Sequence, residues 1–379
     1  MKGDRLRVVI AGGGVAGLET LLALRALAGD RVGLHLISPG DEFVYRPLEV
    51  LEPFDQRAMV RIPWAQILND LGVSHFSAAF KEVDLDERWA QTTTGHSVPF
   101  DVLVIASGGD ARPAVPRAIT VGTPGASDQL RQMLESLRAG AIKRLAFVVP
   151  PGITWSLPIY ELALLTARFA RRFSADVDLM VATAESQPLE VFGAAAGEMV
   201  TELLDASSVH LRTDGLMKRS VGAQTWLELP ASPPTDTMIA LPRLLGPRIT
   251  PLHSDGDGFL LVDHHGRVEG EDDIYGAGDA TSFPVKQGGL AAQQADAVAA
   301  HIARRAGADV EAEPFEPILR GMLLTGEAPR YLRRALAASA SEPEISEDSP
   351  WWPPVKIVGR HLAPYLANFV SWGAATADR

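Results

Sequence analysis

The sequence predicts an α/β fold of two parallel-sheet domains, the first interrupted by the second and resumed after it. Three observations carry this expectation. A glycine triplet, Gly12-x-Gly14-x-x-Gly17, lies between an apolar β-branched run and a leucine-rich helical stretch. A second strand–helix–strand pattern begins at Leu145. A short strand then ends in Gly276-Ala277-Gly278-Asp279, far downstream of the first domain. The 379 residues, at about 150 per domain, agree with two or three domains.

Taken in order, Arg7–Ala11 reads as a buried strand, Leu18–Leu27 as a helix and Val32–Ile37 as the next strand. Such a β–α–β unit implies a parallel sheet and a right-handed crossover. A helix over Trp64–Leu71 follows, and the continuous apolar stretch Asp101–Ala106 is again a strand. The Pro-rich piece Arg112–Pro124 reads as a linker. Leu145–Val149, Pro158–Phe169, Val177–Ala182, Ala194–Asp205 and Val209–Arg212 then alternate strand and helix. Residues 224–247 hold a strand and a proline-rich return. Gly258–Val262 and Asp273–Gly276 are strands, and Gln287–Arg305 is an alanine-rich helix. Glu342–Asp348 reads as an acidic hinge. The boundaries expected are a first domain of residues 1–110 and 248–305, an inserted domain of 111–247, and a C-terminal region of 306–379.

Composition excludes several functions. There is no cysteine, hence no disulfide framework, thiolate metal site or cysteine nucleophile. Any redox chemistry must come from a bound cofactor. Lys+Arg is 35 against Asp+Glu 47, a net charge of −12, which disfavours nucleic acid as the main partner. The nine histidines show no metal-ligand spacing, so no metal site is expected. No run reaches the roughly 18 apolar residues of a spanning helix, and the charged start Met1–Arg7 does not resemble a targeting peptide. A cytoplasmic protein is expected, peripheral membrane contact remaining open.

The glycine triplet has a physical reading. Gly12 permits a tight turn, Gly14 lets the backbone approach a pyrophosphate, and Gly17 lets helix and strand pack closely. The helix N-terminus at Val15 and Ala16 then faces the phosphates. The acidic residue usual at the end of the second strand is replaced by Ser38, followed by Pro39; a hydroxyl can still bond a ribose hydroxyl. Asp41 or Glu42 could take over from the loop. Val102–Gly108, ending in Ala106-Ser107-Gly108, and Ile274–Ala280 are two further elements of the kind that FAD-binding two-domain enzymes use. Gly278 and Asp279 belong to the last of these, with Asp279 expected to accept hydrogen bonds from the ribityl chain. Lys286-Gln287-Gly288 opens the alanine-rich helix, whose positive N-terminal end suits the electron-accepting edge of a flavin. Lys286 would add full charge there or reach N5; the alternative is a solvated helix start.

With these residues in place, the chain resembles the pyridine nucleotide-disulfide oxidoreductase superfamily, with its glutathione-reductase-type domains. It is more similar to the branch of sulfide:quinone reductase, flavocytochrome c sulfide dehydrogenase and type II NADH dehydrogenase than to the disulfide reductases. Phe43-x-Tyr45-Arg46-Pro47-Leu48 resembles the segment that branch places against the isoalloxazine, so Arg46 and Pro47 are implied cofactor contacts. Lys286-Gln287-Gly288 and Gln293-Gln294-Ala295 resemble its flavin-facing helix. The similarity covers about residues 5–305 and a hydrophobic tail. It implies non-covalent FAD and an FAD-dependent oxidoreductase passing electrons from a small donor to an acceptor, a quinone being the expected one. Without cysteine, neither dithiol nor sulfur-carrying chemistry in its usual form is available.

The inserted domain departs from a nucleotide-binding pattern. Its first turn, Val149-Pro150-Pro151-Gly152, has one glycine, and proline lacks the N–H that binds phosphate. Tyr160 and Glu161 follow as candidate pocket residues, Glu161 able to relay protons. Glu185 could serve an NAD ribose. Binding of NAD(P)H is left open: the alternatives are an NAD(P)H-dependent FAD reductase and a non-catalytic flavin sensor.

In the tail, Ile357, His361, Leu362, Tyr365, Leu366, Phe369 and Val370 fall on one helical face. Trp351, Trp352 and Trp372 flank it, Lys356 and Arg360 add positive charge, and Pro364 would kink it. This pattern fits an interfacial amphipathic helix, a face packed over the flavin domain, or a homodimer contact.

Overall fold

A computed structural model describes residues 5–54, 60–213, 217–221, 224–228, 235–337 and 342–369. In chain order the main strands are β1 (Leu6–Ala11), β2 (Val32–Ile37), β3 (Ser74–Phe76), β4 (Val102–Ile105), β5 (Ile119–Thr120), β6 (Arg144–Val149), β7 (Asp178–Thr183), β8 (Val209–Arg212), β9 (Thr237–Ala240), β10 (Ile274–Gly276), β11 (Ile318–Leu323), β12 (Arg330–Ala335) and β13 (Glu344–Ser346). The helices are α1 (Val15–Ala28), α2 (Trp64–Leu71), α3 (Ala126–Arg138), α4 (Leu157–Arg172), α5 (Ala194–Ala206), α6 (Gly288–Arg305) and α7 (Leu362–Leu366).

Two five-stranded parallel sheets form the body, in the orders β10-β4-β1-β2-β3 and β5-β9-β6-β7-β8. The first explains why its strands read as unbroken apolar runs. Val8, Val9, Ile10 and Val102 to Ile105 are wholly buried, as expected for a parallel sheet covered on both faces. α1 and α6 pack against each other on one face of it, their small residues Ala292, Ala295 and Ala299 fully buried. β10 arrives from far along the chain yet pairs with β4, Tyr275 opposite Val104, so the first domain is assembled from two pieces.

Three expectations are corrected. The presumed linker Arg112–Pro124 contributes β5, which pairs parallel with β9, and it begins at the end of a strand, Asp110–Arg112, antiparallel to Arg243–Leu245, because the chain's outward and return crossings between the sheets run side by side. Gly258–Val262 forms only isolated bridges, such as Ser254 with Leu260. There Asp255 Oδ1 instead caps the N–H groups of Asp257 and Phe259 in a turn. The acidic hinge is partly strand β13, paired with β12 and joined to it by Arg333–Glu344 at 3.0 Å and Arg330–Glu347 at 2.9 Å. Arginines on the neighbouring strand give those acidic residues partners.

The described part of the tail is packed onto the body. Ile357, Leu362 and Leu366 are 2%, 0% and 1% exposed, and join the core that α1 and α6 build. Their apolar face is therefore occupied by protein. α7 is only five residues long, with Pro364 inside its first turn, where a missing N–H costs nothing. Val370 and Trp372 lie outside the described residues, as does part of the proline-rich return before residue 235. Among the described residues no helix is long and apolar enough to cross a membrane.

Candidate functional site

The first sheet ends in three loops that meet at the carboxyl edges of adjacent strands, where open α/β sheets bind ligands. Gly12 follows β1, Ala106 follows β4 and Ala277 follows β10. The loops are held in register by Ala106 N to Ala11 O at 2.8 Å and Ala277 N to Ile105 O at 3.0 Å.

Each fingerprint glycine has a distinct reason. Gly12 has φ +125°, and a Cβ there would lie 2.2 Å from the Ala106 carbonyl oxygen. A Cβ on Gly17 would lie 1.9 Å from the Gly12 oxygen, so only glycine lets α1 cross this close to the turn. Gly14 differs: nothing lies within 4 Å of the place its Cβ would occupy. Gly14 is also the N-cap of α1, with no side-chain cap and no acidic residue in the first turn. The N–H groups of Val15, Ala16 and Gly17 therefore have no intrahelical acceptor and face an open cradle suited to phosphate.

Ser38 is 4% exposed. Its Oγ lies against Gly13, 2.2 Å from where a Cβ there would stand, and among the described residues makes only a long 3.4 Å contact with the Pro39 carbonyl. Pro39 and Asp41 are exposed, and Glu42 faces Arg61 at 3.9 Å. Ser107 is exposed and Gly108 has φ +74°. Gly278, φ +74°, fits between Ala16 and Ala291, a Cβ there falling 3.1 and 3.2 Å from theirs. Its N–H donates to Gln294 Oε1 at 2.7 Å.

Asp279 accepts no hydrogen bond from the described residues. Burial pushes its carboxyl up, opposed by the charge of Lys286. Lys286 donates to the Thr281 carbonyl and stands 3.6 Å over the Phe259 ring. Burial brings the Lys286 ammonium down to about 8, against the pull of Asp279 and Asp255. Gln287 caps α6, its Oε1 accepting from Leu290 N at 2.9 Å, while its amide donates to Arg320 O at 3.2 Å. Gly288 lies beneath Ile357, whose Cδ1 is 2.4 Å from where a Cβ would stand. Arg46 is exposed, 3.9 Å from Glu49, and Pro47 follows in the same short 3-10 helix, Arg46–Leu51.

The fold thus brings Gly12, Gly14, Val15, Ala16, Gly17, Ser38, Ala106, Ser107, Gly108, Gly278 and Asp279 to one edge. Lys286, Gln287 and Gly288 lie at the adjoining start of α6. Tyr160 and Glu161 belong to α4 of the second domain, and both are completely buried. Tyr160 donates to Glu185 Oε2 at 2.7 Å. Glu161 receives Lys356 Nζ at 2.6 Å and Leu324 N at 2.9 Å. Glu185, expected to be free for a ribose, is 9% exposed and engaged internally.

Sequence reasoning missed how the tail is anchored. Lys356 read as surface charge, yet it is 8% exposed. The next residue, Ile357, donates its N–H to Tyr45 Oη at 3.0 Å. Glu19 on α1 accepts from His361 N at 2.8 Å and Leu362 N at 2.6 Å, and its carboxyl meets that of Asp296 on α6. The available signal was a charged residue, Glu19, inside the leucine-rich run Leu18–Leu24. Among the described residues no acidic or histidine cluster could hold a metal ion.

Residues 6–303 match the family described as pyridine nucleotide-disulphide oxidoreductase. The chain is 29% identical over 299 residues to an NADH dehydrogenase-like protein of Mycobacterium tuberculosis, 73% of each chain being covered. It is 27% identical over 169 residues to the sulfide-quinone reductase of Aquifex aeolicus, covering 42% of this chain and 38% of that one. Among solved structures, the sulfide:quinone oxidoreductase of Aquifex aeolicus superposes with a TM-score of 0.78 at 19% identity, covering 90% and 86% of the two chains. A ferredoxin reductase of Rhodopseudomonas palustris gives 0.63 at 16%, covering 87% and 82%. At these identities the structural likenesses speak for the fold alone.

Proposed function

The chain belongs to the pyridine nucleotide-disulphide oxidoreductase family, and from that premise we propose that it binds FAD non-covalently along the edge of the first sheet and moves an electron pair from a small donor to a quinone. The observation that carries this reading is the open cradle at Gly14. A Cβ-sized space is empty there, the helix behind it is uncapped, and Asp279, without a hydrogen bond from the described residues, closes the same edge.

The residues present fit FAD. The N–H groups of Val15, Ala16 and Gly17 would hold the pyrophosphate. Ser38 would meet the adenosine ribose as a neutral hydrogen-bonding group, and Asp279 would accept from a hydroxyl of the ribityl chain. The N-terminal end of α6, with Gln287 and Gly288, supplies positive potential near the redox ring. When bound, the flavin supplies two-electron acceptance and donation, chemistry no side chain of this cysteine-free protein offers. Lys286 holds a proton beside Asp279 and, its ammonium lying near 8, can give it up close to neutral pH. Arg46 and Pro47 would bound the site from the turn that packs against α4.

The quinone acceptor is supported by the sulfide-quinone reductase relative. A second reading, NAD(P)H as donor, is favoured by the NADH dehydrogenase-like relative. Anaerobic mixing of the purified protein with sulfide and other small reductants, followed by a short-chain benzoquinone, tests the proposal. The expected result is loss of the flavin absorbance with one donor and its return with quinone. If dithionite bleaches the flavin but no donor does, the protein is a flavin-binding sensor.

A further inference from the structure

We infer that the second domain takes no dinucleotide, because its own side chains saturate the ribose acceptor and prolines and the C-terminal region leave the phosphate turn short of donors. This deepens the proposed function, and rests on it, by excluding NADH and NADPH as the donor. It runs against the expectation that the family name and the M. tuberculosis relative raise.

The ribose position is saturated. At the end of β7, where a carboxylate would accept the hydroxyls of an adenosine ribose, Glu185 already accepts four hydrogen bonds. Oε1 receives Ser156 Oγ at 2.8 Å and Glu190 N at 3.2 Å. Oε2 receives Tyr160 Oη at 2.7 Å and Thr183 Oγ1 at 3.0 Å. A carboxylate has about four lone-pair sites, so none remains for a ligand.

The phosphate position is poorer in donors, and comparison with the first domain shows how. After β1 the chain offers three unbonded N–H groups and empty space at Gly14. After β6 it offers Pro150 and Pro151, which have no N–H; Gly152 has open space like Gly14, but the next N–H, that of Ile153, turns back to the Pro150 carbonyl at 3.4 Å. At the start of α4, Pro158 removes another donor, and Ile159 N is bonded to Ser156 O at 3.0 Å. The remaining first-turn residue, Leu157, is 2% exposed. Strand β11 covers it: a Cβ on Gly321 would lie 3.0 Å from both Leu157 Cδ1 and Phe192 Cζ. The C-terminal region is fastened in this position by Leu324 N and Lys356 Nζ, both on Glu161.

The test uses the full chain loaded with FAD. Calorimetric titration with NAD⁺, NADP⁺ and ADP-ribose should give no saturable heat up to about 1 mM, a threshold of roughly −4 kcal/mol in binding free energy. In parallel, anaerobic NADH or NADPH should leave the flavin band unchanged while dithionite bleaches it. Saturable heat from ADP-ribose, or bleaching by NADH within mixing, would overturn the inference. A preparation lacking dithionite-bleachable flavin would instead defeat the FAD assignment, and NAD⁺ heats would still report on the second domain.

Discussion

Lys356 Nζ lies 2.6 Å from Glu161 Oε2, with the two side chains 8% and 0% exposed. The contact spans 195 positions of sequence and ties the first turns of α4 to the segment that crosses Gly288. Burial pulls the lysine down and the glutamate up, and each charge holds the other against that pull. Removing one partner leaves a buried charge uncompensated. Lys356→Met should therefore cost about 3–5 kcal/mol, whereas the double variant Glu161→Met with Lys356→Met should recover much of that loss. Urea denaturation of the three proteins measures this; a single-variant loss under about 1 kcal/mol would place the pair in effective contact with solvent.

The glycines separate folding from ligand binding. Gly12→Ala meets both a positive φ and the Ala106 oxygen, and should destabilise the protein by about 1–3 kcal/mol. Gly14 has φ −86° and open space, so Gly14→Ala should change apoprotein stability by no more than about 0.5 kcal/mol while weakening FAD retention at least about tenfold, or 1.4 kcal/mol. Thermal unfolding of the apoproteins and FAD titration check the two halves separately.

Two carboxyls meet between α1 and α6. Asp296 is raised to about 6 by burial, and Glu19 is raised well above its ordinary value by burial and by Asp296. The folded protein thus binds more protons than the unfolded chain between roughly pH 4 and 6, so the stabilisation from this pair is present at low pH and is lost as pH rises through about 6. Arg360 and the N–H groups of His361 and Leu362 also face the pair. Asp296→Asn should flatten that fall, measured as denaturation midpoints from pH 4.5 to 7.5. A wild-type slope unchanged in the variant would contradict it.

The four donors on Glu185 make Tyr160 a structural rather than a reacting residue. Tyr160→Phe removes one hydrogen bond to a buried charged group and should cost about 1.5–3 kcal/mol. The rate of flavin reduction by whichever donor proves active should stay within about twofold, or 0.4 kcal/mol. A large rate loss with unchanged stability would return Tyr160 to the chemistry.

The parts of this molecule that were legible in its sequence are those written locally. The Gly12–Gly17 turn, the runs Val102–Ile105 and Ile274–Gly276, and the uncapped start of α1 each depend on neighbours a few residues away. The parts that were not legible depend on distant packing. Lys356 has the character of an exposed tail charge until α4 brings Glu161 to it. Glu185 matches a ribose acceptor in position, and only the closure of α4 against β7 shows its oxygens to be taken. The tail's apolar face fits a membrane surface as well as a protein core, and only the packed position of Ile357, Leu362 and Leu366 against α1 and α6 shows where those three residues go.

The central claim is that the edge formed by Gly14, Ser38 and Asp279 holds FAD. It is tested most directly by the flavin content of the purified full chain, measured by absorbance before and after denaturation and identified by chromatography of the released cofactor. The account predicts FAD bound in equal proportion to protein, or taken up to that proportion when added, and released intact on unfolding. A colourless protein that takes up no FAD would contradict it.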